Sequence, residues 1–391
     1  MLPSNLHASA RMNSVQTPII PTVAKLISDN PGTISLGQGV VYYGPPQSAI
    51  DALNQLNTSI ENHKYGSVEG RAELLALISS KLQQENRINI GRDYRIVVTA
   101  GANMAFLNAL FAITDPGDEI ILPLPYYFNH EMAITMMNCK AVIVPTDDDY
   151  QLCNDKIRAA VNDKTRAIVT VSPNNPSGAV YPKSILQEIN SICLEHNIYH
   201  ISDEAYEYFT YNGVQHFSPA SQADTKFHTI SLFSLSKAYG FASWRIGYMV
   251  VPEHLFSAVT KAQDTNLICP TMISQYAAIG AMSTGSDYCR KKIKPIGDIR
   301  EMMLEELNAL NDTCNIPHSD GAFYLLIKVH TDIEDMEIVI RLIKEYKVAV
   351  IPGHTFGMKD GCYLRVAYGA LEKDTAADGI RRLVNGLTSI I

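Results

Sequence analysis

The 391-residue chain lacks the long apolar runs and the apolar leader that membrane and secreted proteins carry. Its longest apolar runs, such as AIVTV and YMVV, have the length of a β-strand and are too short to span a bilayer. The first residues, MLPSNLHASARMNSVQ, contain no apolar stretch of the kind found in a signal peptide. We therefore expect a cytoplasmic protein with no membrane partner.

Paired cysteines and metal-binding motifs are also missing. The seven cysteines are odd in number, widely spaced and without a C-x-x-C pair. This pattern favours reduced thiols that serve packing over a disulfide framework or a zinc site. His196 and His200 are four residues apart, but they enter a strand and lack the H-E-x-x-H order, so we predict no metal site.

An excess of positive charge is absent as well. The formal net charge is −8 at pH 7, which provides no field to attract nucleic acid, and we expect no nucleic-acid partner. Internal repeats and low-complexity segments are not visible. The hydrophobic fraction of 46% and the charged fraction of 18% are those of a folded globular protein with a sizeable core.

The chain does contain a regular alternation of short apolar runs and longer amphipathic ones from residue 95 onward. The short runs are rich in Ile and Val and lack polar alternation, which predicts buried strands of a mostly parallel sheet between helices. Past residue 251, long helical segments and the strands AFYLLIKV and CYLRVAYG indicate a smaller α/β unit. We predict an N-terminal arm and part of the small domain over 1–40, a large domain over 41–280 and a small C-terminal domain over 281–391.

One lysine lies in an unusually apolar segment, FSLSKAYGFASWRIGY (233–248). Most lysines are exposed, and a surface loop is the alternative here. However, bulky residues such as Phe233 and Tyr239 flank Lys237, while serines and glycines leave the backbone open to a ligand. Desolvation lowers the pKa of a lysine from about 10.4 and makes it a nucleophile that can form a Schiff base.

Small and polar residues follow the predicted strands, at the sheet edge where α/β proteins bind ligands. Gly101, Ala102 and Asn103 predict either an anion site at a helix N-terminus or an ordinary turn with Asn103 as N-cap. Asn175, in VSPNNPSG, either contacts a ligand oxygen or belongs to a plain turn.

Two further strand ends carry an acidic pair and an aromatic cluster. Asp203 ends an apolar strand, where a buried carboxylate requires a cation such as a protonated pyridine nitrogen, unless it caps a helix or faces water. The ring of Tyr127 either stacks on a flat ligand or packs in the core. Together with Lys237, these groups fit a phosphorylated aromatic aldehyde, and pyridoxal phosphate matches each of them.

The order and spacing of these motifs, from SLGQGV (35–40) to YLRVAYG (363–369), resemble the class I aminotransferases of the pyridoxal-phosphate fold type I superfamily. The resemblance implies an α/β fold in which a mostly parallel seven-stranded sheet lies between helices beside a smaller α/β domain. It also implies that an amino acid and a 2-oxo acid exchange an amino group in two half-reactions, and that the protein is a homodimer.

The resemblance assigns roles to individual residues. It implies that Lys237 binds the aldehyde carbon and moves the α-proton, and that Asp203 pairs with the pyridine nitrogen. Tyr206 and Asn175 would contact the ring hydroxyl. The other implied contacts are Tyr127 to the ring face, Gly101, Ala102, Asn103, Ser234 and Arg245 to the phosphate, Tyr65 to the phosphate of the neighbouring active site, and Gly39, Asn175 and Arg365 to the substrate.

The substrate side of the site is less specific. The LGQGV and YYGPP segments look like the branch that includes kynurenine, glutamine, methionine and aromatic aminotransferases, which implies a neutral or aromatic amino donor. Some aspartate-using members carry a lysine where this chain has Asn103. Tyr42, Tyr43, Tyr126 and Phe128 either line the donor pocket or belong to the core.

Other activities remain open from the sequence. Aspartate aminotransferases and C–S β-lyases share the cofactor motifs, because the chemistry after proton removal depends on the shape of the pocket. A non-catalytic regulator with this fold would be expected to carry a DNA-binding module, and the chain has no basic N-terminal helical segment of that kind.

Overall fold

The computed structural model describes residues 8–391, so the first seven residues of the predicted N-terminal arm lie outside the described residues. Thirteen strands are present in the described part of the chain. They are β1 (Ile34–Ser35), β2 (Tyr94–Thr99), β3 (Glu119–Pro123), β4 (Lys140–Val144), β5 (Thr165–Val171), β6 (Tyr199–Asp203), β7 (Thr229–Ser234), β8 (Gly247–Pro252), β9 (Cys314–Asn315), β10 (Tyr324–Val329), β11 (Val348–Ala349), β12 (Ile351–Pro352) and β13 (Cys362–Ala367).

Helices separate most of these strands. They are α1 (Ala10–Ser14), α2 (Ile19–Ser28), α3 (Gln47–Ala52), α4 (Ala72–Lys81), α5 (Ala102–Ile113), α6 (Phe128–Met136), α7 (Asn154–Ala160), α8 (Lys183–His196), α9 (Phe256–Leu267), α10 (Met272–Met282), α11 (Ser286–Leu307), α12 (Asp335–Tyr346) and α13 (Lys373–Ile390). Within residues 8–391, none combines the length and the apolar character that a bilayer span requires.

The main sheet has seven strands in the order β2, β8, β7, β6, β5, β3, β4. The neighbours from β7 through β4 run parallel, whereas β8 is antiparallel to both β2 and β7. Most positions in these strands are buried on both faces, as their continuous apolar sequences predict. The structure confirms the predicted α/β class and the mostly parallel seven-stranded sheet.

The helices cover this sheet through apolar stripes. In α8, Leu186, Ile189 and Cys193 recur at helical spacing and are buried. The helix ends at His196, and Asn197, which follows it, adopts the left-handed conformation common after helix ends. The predicted runs ANMAFLNALFAI and SILQEINSICLEHN correspond to α5 and α8.

A second sheet contains the strands near the C-terminus, in the order β12, β13, β10, β9. The sequence predicted β10 and β13, whereas the two-residue strands β9 and β12 are too short to leave a periodic signal. The N-terminal segment joins this part of the chain, because β1 pairs in parallel with β11 through Ile34 and Val348. The chain therefore begins beside its C-terminal part, forms the main sheet, and then returns to the C-terminal part.

A buried histidine lies in β6, the strand that leads to Asp203. His200 is fully buried, and its ring nitrogens contact Thr170 Oγ1 and Asn190 Oδ1 at 2.8 Å each. Burial, with a smaller contribution from His228, lowers the pKa of His200 to about 3. The folded protein therefore holds His200 neutral at every pH above that value.

This histidine makes stability pH-dependent. Below the unfolded-state pKa of about 6.5, the unfolded chain binds a proton that the folded chain cannot, so the free energy of unfolding falls as pH decreases from about 6.5 towards 3. We expect His200→Gln to remove about 3 kcal/mol of the stability difference between pH 7.5 and pH 4.5. Urea unfolding at the two pH values measures it. The exposed His196→Gln is the control, and an equal pH dependence in both variants would contradict the assignment.

Candidate active site

Most of the predicted site residues meet in one cavity of about 440 Å³ at the carboxyl ends of β5, β6 and β7. Two further parts of the chain close it: the segment around Gly39 and the strand that carries Arg365. The predicted residues that line it are Gly39, Ala102, Asn103, Tyr127, Asn175, Asp203, Tyr206, Ser234, Lys237, Arg245 and Arg365. Residues distant in sequence thus converge where the parallel strands end.

Lys237 lies in the turn after β7, and its amine faces the cavity. Its Nζ donates a hydrogen bond to the carbonyl oxygen of Gly39. The pKa of Lys237 is lowered to about 8, mainly by burial and further by the positive charges of Arg365 and Arg245. About a tenth of the lysine is therefore a neutral amine at pH 7, far more than for an exposed lysine, and the neutral amine is what nucleophilic attack on an aldehyde requires.

Asp203 ends β6 with its carboxylate buried at the cavity wall. Its Oδ2 is 3.1 Å from His130 Nε2, and its Oδ1 accepts the Ala205 amide at 3.1 Å. His130 lies in α6 and is held between the ring of Phe106, stacked at 4.1 Å, and the edge of Tyr127 at 5.2 Å. These contacts fix the direction of the carboxylate, which is buried and can pair with a cationic ring nitrogen.

Tyr206, Asn175 and Tyr324 form a hydroxyl and amide cluster on one wall. Asn175 Nδ2 donates to Tyr206 Oη at 3.4 Å, and the hydroxyls of Tyr206 and Tyr324 are 2.8 Å apart. Burial raises the pKa of Tyr206 well above its ordinary value, so this phenol stays protonated and able to donate. Gly39 lies against Tyr324, and a Cβ at this glycine would lie 2.8 Å from the Tyr324 hydroxyl, so that a larger residue would displace it.

Arg365, in β13, is buried and has a well-defined orientation. It donates to Asn175 Oδ1 at 2.9 Å and to the Gly37 carbonyl at 2.7 Å. Its guanidinium also stacks on the rings of Tyr324, 4.6 Å from the centroid, and Phe356 at 5.0 Å. Burial lowers the pKa of Arg365. A guanidinium held in this way can bind a carboxylate with two parallel hydrogen bonds.

Another part of the cavity combines a helix N-terminus with a cation. Gly101 precedes α5 with φ +81°, a conformation that favours glycine, and a Cβ there would lie 2.5 Å from Arg245 Nη2. Arg245 Nη1 donates to the Ala242 carbonyl at 2.9 Å. Ser234, at the end of β7, also lines this end. The arrangement suits a phosphate group. Gly101, not Asn103, precedes the helix, so the N-cap alternative for Asn103 is wrong.

Some predicted residues lie elsewhere. Tyr65 does not line this cavity and is 80% exposed. Of the aromatic residues predicted as either pocket lining or core, Phe128 lines the cavity. Tyr43 is buried and donates to the carbonyls of Lys237 and Ala238, so that it supports the lysine turn from behind. The pocket alternative is therefore wrong for Tyr43.

Tyr126 and Tyr42 do not line the cavity either, and of the two only Tyr126 is a buried core residue. Tyr126 is buried, its backbone N–H donates to the Phe356 carbonyl, and its ring lies against Gly357. Tyr42 packs edge-to-face on Tyr43 at 5.2 Å.

His130 and Tyr324 are among the site residues that the sequence did not indicate. His130 supports Asp203 from the first turn of α6, and its only signal was its position in the aromatic segment YYFNHE. Tyr324 begins the strand AFYLLIKV, which was recognised as a strand only. Both act through contacts that form only when separate elements pack together, so no local motif marks them.

The chemistry of this cavity fits pyridoxal phosphate. An amine with a lowered pKa, a buried carboxylate, a phenol beside an amide, and a helix N-terminus with a serine and an arginine correspond to the aldehyde, ring nitrogen, ring hydroxyl and phosphate of that molecule. A second guanidinium, that of Arg365, remains at the other end for a carboxylate of the substrate. Each polar group of the cofactor thus has a counterpart of matching charge or hydrogen-bonding type.

Comparison with known proteins gives a consistent result. The family described as aminotransferase class I and II matches residues 31–383. An aromatic aminotransferase of Arabidopsis thaliana is 32% identical over 98% of this chain and 97% of its own length. An aspartate aminotransferase of Pyrococcus abyssi is 31% identical over 96% of this chain and 98% of its own.

Solved structures agree with the sequence comparison. The aromatic aminotransferase of Pyrococcus horikoshii superposes with a TM-score of 0.83 at 31% identity, covering 94% of this chain and 99% of its own. An aspartate aminotransferase of Thermus thermophilus, solved with maleate, superposes with a TM-score of 0.89 at 27% identity, covering 97% and 100%.

Proposed function

The chain belongs to the class I and II aminotransferases and is a pyridoxal-phosphate-dependent transaminase; from this premise we propose that its amino donor is an L-amino acid with a neutral or aromatic side chain. The substrates are an amino acid and a 2-oxo acid. Bound pyridoxal phosphate supplies an electron-accepting ring that acidifies the α-proton of the amino acid. The residues of the chain bind and orient that ring, and they hold or move protons beside it.

Each residue of the cavity has a proposed task. Lys237 provides the amine for the aldehyde and carries the proton away from Cα, while Asp203 keeps a proton on the ring nitrogen. Tyr206 and Asn175 hold the ring hydroxyl, and Arg365 binds the α-carboxylate. The remaining proposed contacts are Tyr127 on the ring face, Gly101, Ala102, Asn103, Ser234 and Arg245 at the phosphate, and Gly39 on the substrate side.

One observation supports the donor class. Among the described residues that line the cavity, three carry a positive charge, and each has a proposed partner: Lys237 the aldehyde, Arg245 the phosphate and Arg365 the α-carboxylate. Apolar Ile20 and Phe128 also line the cavity, and Phe128 lies near Arg365, because its ring is 5.8 Å from that of Phe356, on which the Arg365 guanidinium stacks. Within one chain, a second carboxylate would therefore be desolvated without a cation, which is costly and favours a donor without one.

An absorbance scan of the purified protein with pyridoxal phosphate tests this proposal. Good donors convert the visible band of the lysine-bound cofactor to the shorter-wavelength pyridoxamine form, and we expect phenylalanine, tyrosine and methionine to do so faster than aspartate. Faster conversion with aspartate favours the aspartate aminotransferase activity that several relatives' names carry. Release of pyruvate and thiol from cystathionine without an oxo-acid acceptor favours a C–S β-lyase.

Arg365 gives a prediction that is independent of the donor. Arg365→Ala removes the proposed carboxylate partner, so we expect KM for every amino acid to rise about 100-fold, in line with the loss of a charge-assisted bidentate contact. Steady-state kinetics with several donors measures the effect. Arg365→Lys keeps a charge without the planar fork and should fall between the two. A KM within threefold of wild type in the alanine variant would contradict the role.

We also propose a homodimer in which Tyr65 reaches the phosphate end of the neighbouring active site. Tyr65 is 80% exposed and does not line the cavity of its own chain. Apolar Ile273 is also half exposed, and it lines a second cavity that includes Arg245 and a third that includes Tyr65. A second copy of the chain would cover this face.

Mixing two inactive variants tests the dimer contact. In a hybrid of Lys237→Ala and Tyr65→Ala subunits, one site lacks both residues and the other regains both if Tyr65 acts across the interface. We expect the mixture to recover up to about a quarter of wild-type activity after random subunit exchange, with half of the dimers hybrid and one active site in each. Recovery would be absent if Tyr65 acts in its own chain or if the protein is monomeric.

The domain division and the location are proposals of the same kind. We propose an N-terminal arm with part of the small domain over 1–40, a large domain over 41–280 and a small domain over 281–391, supported by the placement of the seven-stranded sheet within 94–252 and the four-stranded sheet within 314–367. The seven free cysteines support a cytoplasmic location.

A further inference from the structure

The turn that follows β6 directs its side chains in two different directions. Asp203 and Tyr206 line the cavity, where they are proposed to contact the cofactor ring. Glu204 and Glu207 belong to the same turn but do not line the cavity. Glu204 is fully buried and the side chain of Glu207 is 12% exposed, so both carboxylates need partners inside the protein.

Both glutamates find those partners in one connected cluster. Glu207 forms an ion pair with the buried Lys81 and accepts from Asn86 Nδ2 at 2.7 Å. Glu204 Oε2 is 2.8 Å from His216 Nε2 and accepts from the Ser218 hydroxyl. We call this cluster the turn clamp, and its members are Lys81, Asn86, Glu204, Glu207, His216 and Ser218.

Asn86 connects the two halves of the turn clamp. Its Nδ2 also contacts Ser218 Oγ at 2.9 Å, and its Oδ1 accepts from Lys81 Nζ at 2.7 Å. The hydrogen bonds therefore run without interruption from Lys81 to His216. Because one carboxylate lies directly after Asp203 and the other directly after Tyr206, the turn clamp holds the turn at two points.

The backbone of the Lys81 segment is adapted to this contact. Helix α4 ends at Lys81 and continues as a π-helix over Leu82–Asn86, before Arg87 adopts a left-handed conformation with φ +59°. The wider π-helical turn brings Lys81 and Asn86, five residues apart, onto the same side. Isolated π-helical turns are rare and occur frequently at functional sites.

Burying the charged and polar groups of the turn clamp is energetically costly, which suggests that the cluster has a functional role. A buried ion pair is seldom more stabilising than an apolar pair of the same volume, whereas buried polar networks can fix one conformation among several. We propose that the members of the turn clamp are positioning residues that hold Asp203 and Tyr206 towards the cofactor ring. This inference rests on the proposed roles of Asp203 and Tyr206.

A double variant, Lys81→Met with Glu207→Met, tests the proposal because it removes both charges together and leaves neither unpaired. We expect the apoprotein to unfold within about 4 °C of wild type. The dissociation constant for pyridoxal phosphate should rise about tenfold, and the first-order rate of the half-reaction should fall about tenfold, as for one lost charge-assisted contact. The KM for the amino acid should stay within about twofold, since Arg365 is untouched.

Two further variants control this experiment. Lys81→Arg keeps the ion pair and should restore the wild-type dissociation constant. Arg166→Met breaks the ion pair with Asp118, 3.0 Å long, near the opposite ends of the sheet strands, and should lower stability without changing cofactor affinity. If the double variant does not fold, Ser218→Ala, which removes one bond to Glu204, takes its place with the same expected direction.

The outcomes separate the two proposals. A wild-type protein that forms no visible band with pyridoxal phosphate overturns the proposed roles of the site residues and the inference with them. A wild-type protein with the band, and a folded double variant with wild-type cofactor affinity and half-reaction rate, overturns the turn clamp alone. A rise in the dissociation constant for Arg166→Met equal to that of the double variant also overturns it, because cofactor affinity would then follow general stability.

Discussion

Lys237→Ala is expected to reduce the half-reaction with a good donor about 10⁴-fold, the upper range for the loss of a group that moves a proton in catalysis. Lys237 is the lysine that lines the cavity in the described part of the chain, so no second amine is placed to replace it. Stopped-flow absorbance of the cofactor-loaded variant measures the rate, and the visible band of the lysine-bound cofactor should be missing.

A second lysine near the same turn provides the control. Lys292 lies behind the turn, with its Nζ 5.7 Å from the ring centroid of Tyr43, and it does not line the cavity. We expect Lys292→Ala to retain the band and a half-reaction rate within threefold of wild type. A Lys237→Ala protein that keeps the visible band would show that another amine holds the aldehyde, and would overturn the assignment of the site.

The lowered pKa adds a pH signature to the same residue. Only the neutral amine attacks an aldehyde, and burial lowers the pKa of Lys237 to about 8. The rate at which the apoprotein captures pyridoxal phosphate should therefore rise about tenfold per pH unit below 8 and become constant above it. For an exposed lysine, the capture rate would continue to rise up to about pH 10.

The sequence predicts the strands, and it predicts that the proposed cofactor residues meet at one edge of the sheet, because both have local signals. Runs of Ile and Val mark β3 and β5, and the residues directly after the strands, such as Asn175 and Asp203, fall at one edge of the sheet by topology alone. The resemblance of the motifs then assigned chemistry to positions that the fold brings together.

The residues that the sequence missed depend on packing between separate elements. His130 approaches Asp203 because α6 packs against α5, where Phe106 stacks on its ring. Tyr324 reaches Tyr206 across 118 residues of chain, and only the absence of a side chain at Gly39 leaves room for its hydroxyl. Neither relation leaves a periodic or local pattern.

The donor pocket was the least predictable part for the same reason. Tyr42, Tyr43 and Tyr126 are aromatic residues in site-forming segments, and the sequence cannot tell which face of such a segment points inward. In the structure Tyr43 supports the Lys237 turn by two backbone contacts, whereas Ile20, from α2, lines the cavity. Substrate preference therefore depends on side-chain direction, which only the packed structure defines.

Asp203→Asn is expected to slow the half-reaction about 10³-fold while pyridoxal phosphate still binds, a loss comparable to removing one preorganised electrostatic partner. Asn keeps the shape of the side chain and can still contact His130 Nε2 and the Ala205 amide. It carries no negative charge, however, and so cannot hold a proton on the ring nitrogen. The ring then accepts electrons poorly, and the α-proton of the amino acid remains weakly acidic.

A variant of His130 distinguishes the effect of the Asp203 charge from the effect of the orientation of its carboxylate. His130→Gln leaves the carboxylate charged but removes the stacked ring that directs it, so we expect a smaller loss of about tenfold, as for one hydrogen bond. The comparison uses single-turnover rates of the two variants, followed by the absorbance of the bound cofactor. Equal losses would mean that orientation dominates. A rate within threefold of wild type for Asp203→Asn would mean that this carboxylate is not the partner of the ring nitrogen.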